Sequence, residues 1–147
     1  MSDATPVWPS VITVERVLEL HAKALEHAGG LPGVRDEGLV KAAVEGALTA
    51  AHYHEKEKDE DPVDPMVLAA YLLCSLSRDH AFIDGNKRVA WLALEDQLRV
   101  LRLRVEASAD DAESLVIDVV TRKLEVDVVV EWIAARLVPY EATRAEW

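Results

Sequence analysis

The residues of this sequence that are best suited to chemistry lie together between positions 78 and 88. They comprise a histidine, an aspartate, a Gly-Asn pair and two adjacent cations, namely His80, Asp84, Gly85-Asn86 and Lys87-Arg88. Apolar helical patterns precede and follow this polar stretch, so it is predicted to be a loop that opens at the N-terminus of a helix. The N–H groups at a helix start, aligned with the helix macrodipole, bind anions. The stretch therefore predicts a phosphate-binding loop with a base beside it.

Each residue type in the loop suits one part of a group transfer from a nucleotide. Gly85 allows the backbone to approach a ligand closely. Lys87 supplies a point charge, whereas Arg88 can bind phosphate oxygens through two N–H groups. Asp84 is suited to a Mg²⁺ ion that also binds phosphates. His80 is the nearby group that can be both neutral and basic at pH 7, so it is the candidate general base.

Every one of these side chains also has a simpler structural interpretation. Asp84 could be only a helix N-cap, which is a common role for aspartate. Lys87 and Arg88 could be solvated surface charges, and the histidine could simply pack in the loop. For any residue taken alone the structural interpretation is favoured, but the joint pattern is much more specific than its parts. Phe82 is expected in either case to be an apolar anchor that holds the loop to the core.

The run His80-Ala-Phe-Ile-Asp-Gly-Asn-Lys-Arg88 resembles the signature loop of the Fic/Doc superfamily. It is most similar to the loop of the death-on-curing (Doc) toxins of bacterial toxin–antitoxin systems. The adenylylating Fic branch has Gly-Asn-Gly-Arg, followed two residues later by a second arginine. This sequence has Lys87 at the second glycine and Trp91 at the second arginine, and both departures are those of the Doc branch. The resemblance covers roughly residues 13–138.

The resemblance implies an enzyme that binds ATP and Mg²⁺ at this loop, with the γ-phosphate facing His80 and the metal on Asp84. The phosphate oxygens would be bound by residues around the helix start and by one arginine before the loop, namely Arg78, Gly85, Asn86, Lys87 and Arg88. The product would be a phosphorylated Ser or Thr hydroxyl. The implied acceptor is a threonine of the translation elongation factor EF-Tu, so that translation would be arrested. The residues themselves do not name that acceptor.

A second segment, Gly29-Gly-Leu-Pro-Gly33, ends the first predicted helix and turns the chain. It resembles the segment of Doc toxins that forms a flap near the acceptor peptide. The resemblance therefore implies an acceptor flap made of Gly30, Leu31, Pro32 and Gly33. A plain turn between helices is the alternative, although it would leave Leu31 as an apolar residue at an exposed tip.

Two other functions stay open. The first is Fic-type adenylylation of a protein hydroxyl, which Gly85 favours and which Lys87 and Trp91 oppose. The second is a non-catalytic subunit that binds an antitoxin and acts as a co-repressor, although the intact motif argues against loss of activity.

Regulation is expected to come from another protein. Many Fic proteins carry an inhibitory helix marked Ser/Thr-x-x-x-Glu-Gly/Asn, and neither 121–126 nor 41–46 completes that pattern. We therefore expect a cognate antitoxin whose inhibitory segment folds into a helix on this protein in trans. Because the net charge here is −11, basic stretches are expected in that partner.

Composition limits the class of protein. The 147 residues fit one domain with a hydrophobic core. The single cysteine, Cys74, excludes a disulfide within the chain and is interpreted as a buried small hydrophobe. The chain has 27 acidic and 16 basic residues, and this net negative charge opposes direct nucleic-acid binding because it repels the phosphate backbone. The sequence has no apolar run of the ~18 residues that a membrane span needs and no signal peptide pattern, so we expect a cytoplasmic protein.

The predicted fold is all-α, a single-domain bundle of about six helices with the signature loop after a buried central helix. The expected division is an N-terminal arm at 1–12, the Fic/Doc-like domain at 13–138 and a C-terminal tail at 139–147. His21, on an apolar helix face, is interpreted as a hydrogen-bonded core or edge histidine, and His52 and His54 as surface residues rather than metal ligands. The helices are predicted to be capped by Thr13, Asp36, Asp64, Ser108 or Asp110, and Asp127.

Overall fold

The computed structural model describes residues 11–54 and 63–140 of the chain. Within them the fold is a helical bundle, as the sequence predicted, with the addition of one small antiparallel sheet. In chain order the elements are α1 (Val14–Ala28), α2 (Glu37–Tyr53), α3 (Pro65–Asp79), α4 (Asn86–Arg99), β1 (Leu103–Val105), α5 (Ala109–Thr121), α6 (Val126–Ala134) and β2 (Leu137–Pro139).

Helix α3 is the centre of the bundle and packs against α2, α4, α5 and α6. Its side chains are apolar on nearly all sides, which is the pattern of a helix that is surrounded by others. Four of its leucines are fully enclosed, namely Leu68, Leu72, Leu73 and Leu76. Each such burial stabilises the fold by roughly 1.5–3 kcal/mol. Cys74 is buried among them, as predicted, and this burial raises the pKa of its thiol.

Most helix starts follow the predicted caps. The side chains of Thr13, Asp36, Asp64 and Ser108 each accept a hydrogen bond from a backbone N–H of the first turn. The prediction for Asp127 is wrong, because Glu125 occupies the N-cap position of α6. Asp127 lies inside the first turn, where a carboxylate is still favourable next to the helix dipole.

The end of the last helix is set by the small sheet. Helix α6 stops at Ala134 because the next residues are used in β2, which pairs antiparallel with β1. Pro139, expected in the tail, lies opposite Leu103 in this pairing. Residues 1–10 of the predicted arm and 141–147 of the tail lie outside the described residues, so the division into arm, domain and tail stays a prediction. No helix in the described ranges is both long and apolar enough to cross a membrane.

Candidate functional site

The signature loop begins where the buried central helix ends. His80 is the C-cap of α3 and adopts the left-handed conformation, with φ 51° and ψ 47°. Few non-glycine residues adopt positive φ, so its backbone conformation here is unusual. The imidazole belongs to an exposed residue, while Ala81 and Phe82 immediately after it are buried. The candidate base is therefore solvent-accessible on a backbone that the core holds in place.

Two side chains hold Phe82 and, through it, the loop. Phe82 is 1% exposed, and its ring stacks on His21 of α1 with the ring centroids 3.9 Å apart. The Asn86 side chain both accepts from the Phe82 N–H and donates to the Phe82 carbonyl, each at 3.0 Å. Asn86 thus uses its side-chain amide to fix the shape of the loop, and its contact with a phosphate stays a prediction.

The start of α4 presents an open positive end. Gly85 is its N-cap and lies in the left-handed region with φ 80°, which glycine adopts without steric cost. Within the described residues no side chain caps this helix, and its first turn contains no acidic residue. Lys87 and Arg88 are exposed there, and neither has a salt-bridge partner among residues 11–54 and 63–140. The first turn of α4 therefore combines free backbone N–H groups, the positive end of the helix dipole and two exposed cationic residues, a combination that suits anion binding.

Asp84 connects the loop to the flap. Its Oδ2 accepts a hydrogen bond from the Leu31 N–H at 3.1 Å, and its Oδ1 accepts one from the Gly85 N–H at 2.9 Å. These bonds, the Leu31 bond first, hold the pKa of the Asp84 carboxyl below its usual value, so it is ionised at neutral pH.

The carboxylate of Asp84 also fits a Mg²⁺ ion. It is exposed and each oxygen retains a further lone pair. No group of three potential metal ligands occurs in the described residues. One carboxylate completed by phosphate oxygens and waters is the usual way in which proteins hold Mg²⁺.

The predicted flap lies directly against the signature loop. The Ile83 N–H donates to the Gly33 carbonyl at 3.2 Å, and Val34 forms an isolated antiparallel bridge with Phe82. Gly30 is required by close packing as well as by its φ of 125°, since a Cβ there would lie 2.9 Å from Oδ2 of Asp84. Leu31 at the tip is 64% exposed, as the sequence suggested.

The sequence profile of the Fic/DOC family matches residues 11–98, which are 88 of the 147 residues. The chain belongs to the Fic/Doc family. The matched region contains the flap, the central helix, the signature loop and almost all of α4.

Two curated relatives carry Doc names. The protein is 36% identical over 104 residues to "Toxin Doc" of Mycolicibacterium smegmatis, an alignment that covers 67% of this chain and 74% of the relative. It is 32% identical over 79 residues to "Protein kinase doc" of Escherichia phage P1, which covers 54% of this chain and 58% of the relative. The resemblance to the Doc branch is therefore confirmed.

Arg78 of this Fic/Doc protein does not join the loop as the sequence analysis expected. Its guanidinium donates to the Val119 carbonyl at 3.2–3.3 Å and to the Leu124 carbonyl at 2.8 Å. Carbonyls at the end of a helix lack partners within the helix and attract cations. The end of α5 therefore competes with the predicted phosphate site for the Arg78 guanidinium. In this structure Arg78 binds the end of α5 and the connection that follows it, and its role in phosphate binding stays a prediction.

Arg78 also lines a cleft of about 580 Å³ between α3 and the α5–α6 connection. His54 lies in the same cleft, with Nδ1 3.0 Å from the Tyr71 hydroxyl and Nε2 2.9 Å from Oδ1 of Asp127. The interpretation of His54 as a surface residue is wrong, because its side chain is only 15% exposed and joins three helices.

His21 is the site residue whose role the sequence did not reveal. It is 5% exposed, and its Nε2 lies 2.8 Å from the Asp84 carbonyl oxygen. The interpretation as a hydrogen-bonded core histidine is confirmed. The partner lies 63 positions further along the chain, and no local pattern in the sequence points to a contact of that range.

Proposed function

We propose that this Fic/Doc protein is the toxin of a bacterial toxin–antitoxin pair and transfers the γ-phosphoryl group of ATP to a Ser or Thr hydroxyl of another protein. The observation that carries the proposal is the uncapped N-terminus of α4, where Lys87 and Arg88 follow a left-handed glycine in the loop that begins at the exposed His80. The names of the two relatives, a toxin and a protein kinase, support it.

The phosphate end of the nucleotide would be bound by the first turn of α4. The backbone N–H groups after Gly85 point along the helix axis toward the ligand, and Lys87 and Arg88 add full positive charges there. Such preorganised donors neutralise the charge that spreads over the phosphate oxygens in the transition state. Asp84 would hold Mg²⁺, which when bound neutralises the β- and γ-phosphate oxygens.

His80 would act as the general base. As the acceptor hydroxyl oxygen forms its bond to the γ-phosphorus, the bond between that phosphorus and the β,γ-bridging oxygen breaks, and ADP leaves with the electron pair. The hydroxyl proton passes to the imidazole of His80. Its exposed position at the end of α3 allows an acceptor to approach from solvent. Positioning and charge stabilisation supply most of the catalysis in transfers of this kind.

The flap is the proposed contact for the acceptor segment, since it is paired with the signature loop through Gly33 and Val34. The proposed acceptor is a threonine of EF-Tu, on the strength of the family resemblance. Inhibition is assigned to a cognate antitoxin that supplies a helix in trans and has basic stretches that match the net charge of −11. Both the acceptor and ATP would be met in the cytoplasm.

The label that is transferred from ATP tests the reaction. The protein is incubated with Mg²⁺ and either γ-labelled or α-labelled ATP, first with bacterial lysate and then with purified EF-Tu. We expect label from γ-labelled ATP only, on an EF-Tu threonine located by mass spectrometry. The matched control is His27→Ala on the exposed end of α1, which should transfer label as the unmodified protein does, whereas His80→Ala should not.

Label from α-labelled ATP, with an AMP mass on the acceptor, would instead establish adenylylation, the alternative that Gly85 favours. Transfer of neither label, together with a tight complex with the neighbouring gene product, would favour the non-catalytic antitoxin-binding subunit. Phosphate transfer to a protein other than EF-Tu would overturn only the acceptor assignment.

A further inference from the structure

Beneath the signature loop lies a contact that the proposed mechanism does not use. His21, in the middle of α1, is almost completely buried and touches the loop in two ways. Its ring stacks on Phe82 with an interplanar angle of 14°, and its Nε2 lies 2.8 Å from the carbonyl oxygen of Asp84. A carbonyl oxygen can only accept a hydrogen bond, so Nε2 must carry the proton.

This hydrogen bond determines how the Asp84–Gly85 peptide is oriented. In a trans peptide the C=O and N–H groups point in opposite directions. With the carbonyl turned inward to His21, the Gly85 N–H must point outward, where it donates to the exposed Asp84 carboxylate at 2.9 Å. The opposite orientation would place the carbonyl oxygen, which carries partial negative charge, at the mouth of the site.

Because residue 85 is a glycine, the orientation of the Asp84–Gly85 peptide has to be fixed by a neighbouring group. At φ 80° it occupies a region that glycine visits as readily as negative φ, so its own backbone preference does not keep the peptide in one orientation. His21 also lies close beneath it, since a Cβ added to Gly85 would be 3.5 Å from Nε2. A buried donor directly under a flexible glycine therefore selects one of the orientations that the glycine allows.

We propose that His21 is a positioning residue of the anion site: its Nε2–H holds the Asp84–Gly85 peptide with the carbonyl inward, so that this carbonyl oxygen does not face a bound phosphate. This inference rests on the proposed function for its consequence in catalysis, but the hydrogen bond and the peptide orientation can be tested without any phosphoryl transfer.

The unmodified protein gives the first test. Long-range proton–nitrogen NMR on the imidazole of His21 distinguishes the two ring nitrogens, and we expect Nε2 to be protonated. A neutral ring with its proton on Nδ1 would overturn the proposal, because Nε2 would then face the Asp84 carbonyl with no proton to donate.

Two substitutions separate the donor from the ring. His21→Phe keeps a ring that can stack on Phe82 but has no donor, whereas His21→Gln loses the ring and keeps an N–H near the position of Nε2. We expect the Asp84 carbonyl-carbon and Gly85 amide signals to shift in His21→Phe and to return toward their original positions in His21→Gln. His27→Phe, at an exposed position of the same helix, is the matched control.

Binding of ATP–Mg²⁺, followed by calorimetry, gives the functional readout. We expect about tenfold weaker binding in His21→Phe, recovery in His21→Gln and no change in His27→Phe. Equal signals and equal binding in His21→Phe and His27→Phe would overturn the proposal, as would a His21→Gln protein that is no better than His21→Phe. If the unmodified protein binds no ATP, the proposed function fails, while the tautomer and the NMR signals still decide the role of His21.

Discussion

The two polar regions beside the end of α3 use their side chains in opposite ways. At the α5–α6 junction, which comprises His54, Tyr71, Arg78 and Asp127, the polar groups bond to one another or to backbone carbonyls and hold helices together. At the signature loop, the cations and the N–H groups that open α4 face solvent. Both regions contain a histidine and an arginine, so composition alone does not distinguish them. The difference is whether the fold has already used their hydrogen-bonding capacity.

The same contrast appears within the signature loop. The side chains of Asn86 and His21 form hydrogen bonds with the backbone of the loop, whereas His80, Lys87 and Arg88 are exposed to solvent. Inward groups therefore provide rigidity and outward groups remain available to a ligand, which is the arrangement that preorganised sites require. The predictions that follow test this division.

The largest effect is expected from His80→Ala. Loss of a general base lowers the transfer rate by ~10²–10⁴-fold, and the melting temperature should stay close to that of the unmodified protein because the residue is exposed. Phosphoryl transfer and thermal unfolding are measured side by side. His54→Ala is the comparison variant and should do the reverse, lowering the melting temperature and sparing the transfer rate. Equal loss of activity in His80→Ala and His54→Ala would contradict the division into a catalytic loop and a structural junction.

Arg88→Ala should have the next largest effect on transfer. An arginine that stabilises a transferring phosphoryl group contributes ~10³-fold or more to the rate, and Arg88 forms no salt bridge among the described residues that its loss would break. Single-turnover assays with saturating ATP measure the rate. Arg104→Ala, an exposed arginine on β1, serves as the control and should retain full activity. A rate within a few-fold of the unmodified protein would remove Arg88 from the site.

Arg78→Ala should destabilise the fold rather than the reaction. Hydrogen bonds that involve a charged group contribute roughly 1.5–3 kcal/mol, and this guanidinium donates to both Val119 and Leu124. Denaturant unfolding should show a loss in that range, with transfer per folded molecule unchanged. Full stability with abolished transfer would restore the phosphate role that the family resemblance implied for Arg78.

The smallest effect concerns the flap and depends on pH. Hydrogen bonds from Leu31 and Gly85 lower the folded-state pKa of Asp84 below its unfolded value of about 3.9. The stabilisation is therefore fully present above the unfolded pKa and is lost as pH falls through the lowered folded pKa. The Leu31 amide signal should titrate together with the Asp84 carboxyl below pH 4 and should not titrate in Asp84→Asn. A Leu31 signal that is constant down to pH 2 would show that the flap does not depend on this bond.

Much of the site could be predicted because its residues are adjacent in sequence. The segment from His80 to Arg88 comprises one loop and the first turn of the helix that follows it. The residue types and the predicted ends of the flanking helices were therefore enough to group a base, a carboxylate and two cations at one site. The contacts that Arg78 and His54 make could not be predicted, for the opposite reason. Their partners lie 17 to 73 positions away, and local spacing carries no information about such contacts.

The sequence by itself determined the helices, most of their caps and the loop. Each of these depends on interactions between near neighbours: apolar periodicity, an oxygen at a helix start, or a glycine at positive φ. Only the tertiary structure decided which polar groups are hydrogen-bonded within the fold and which remain accessible to a ligand. It brought His21 of α1 beneath the Asp84–Gly85 peptide, Leu31 of the flap onto the Asp84 carboxylate and Arg78 onto the end of α5. A hydrogen-bonding group is satisfied by whatever the folded chain places next to it, and that neighbour is set by the packing of whole helices.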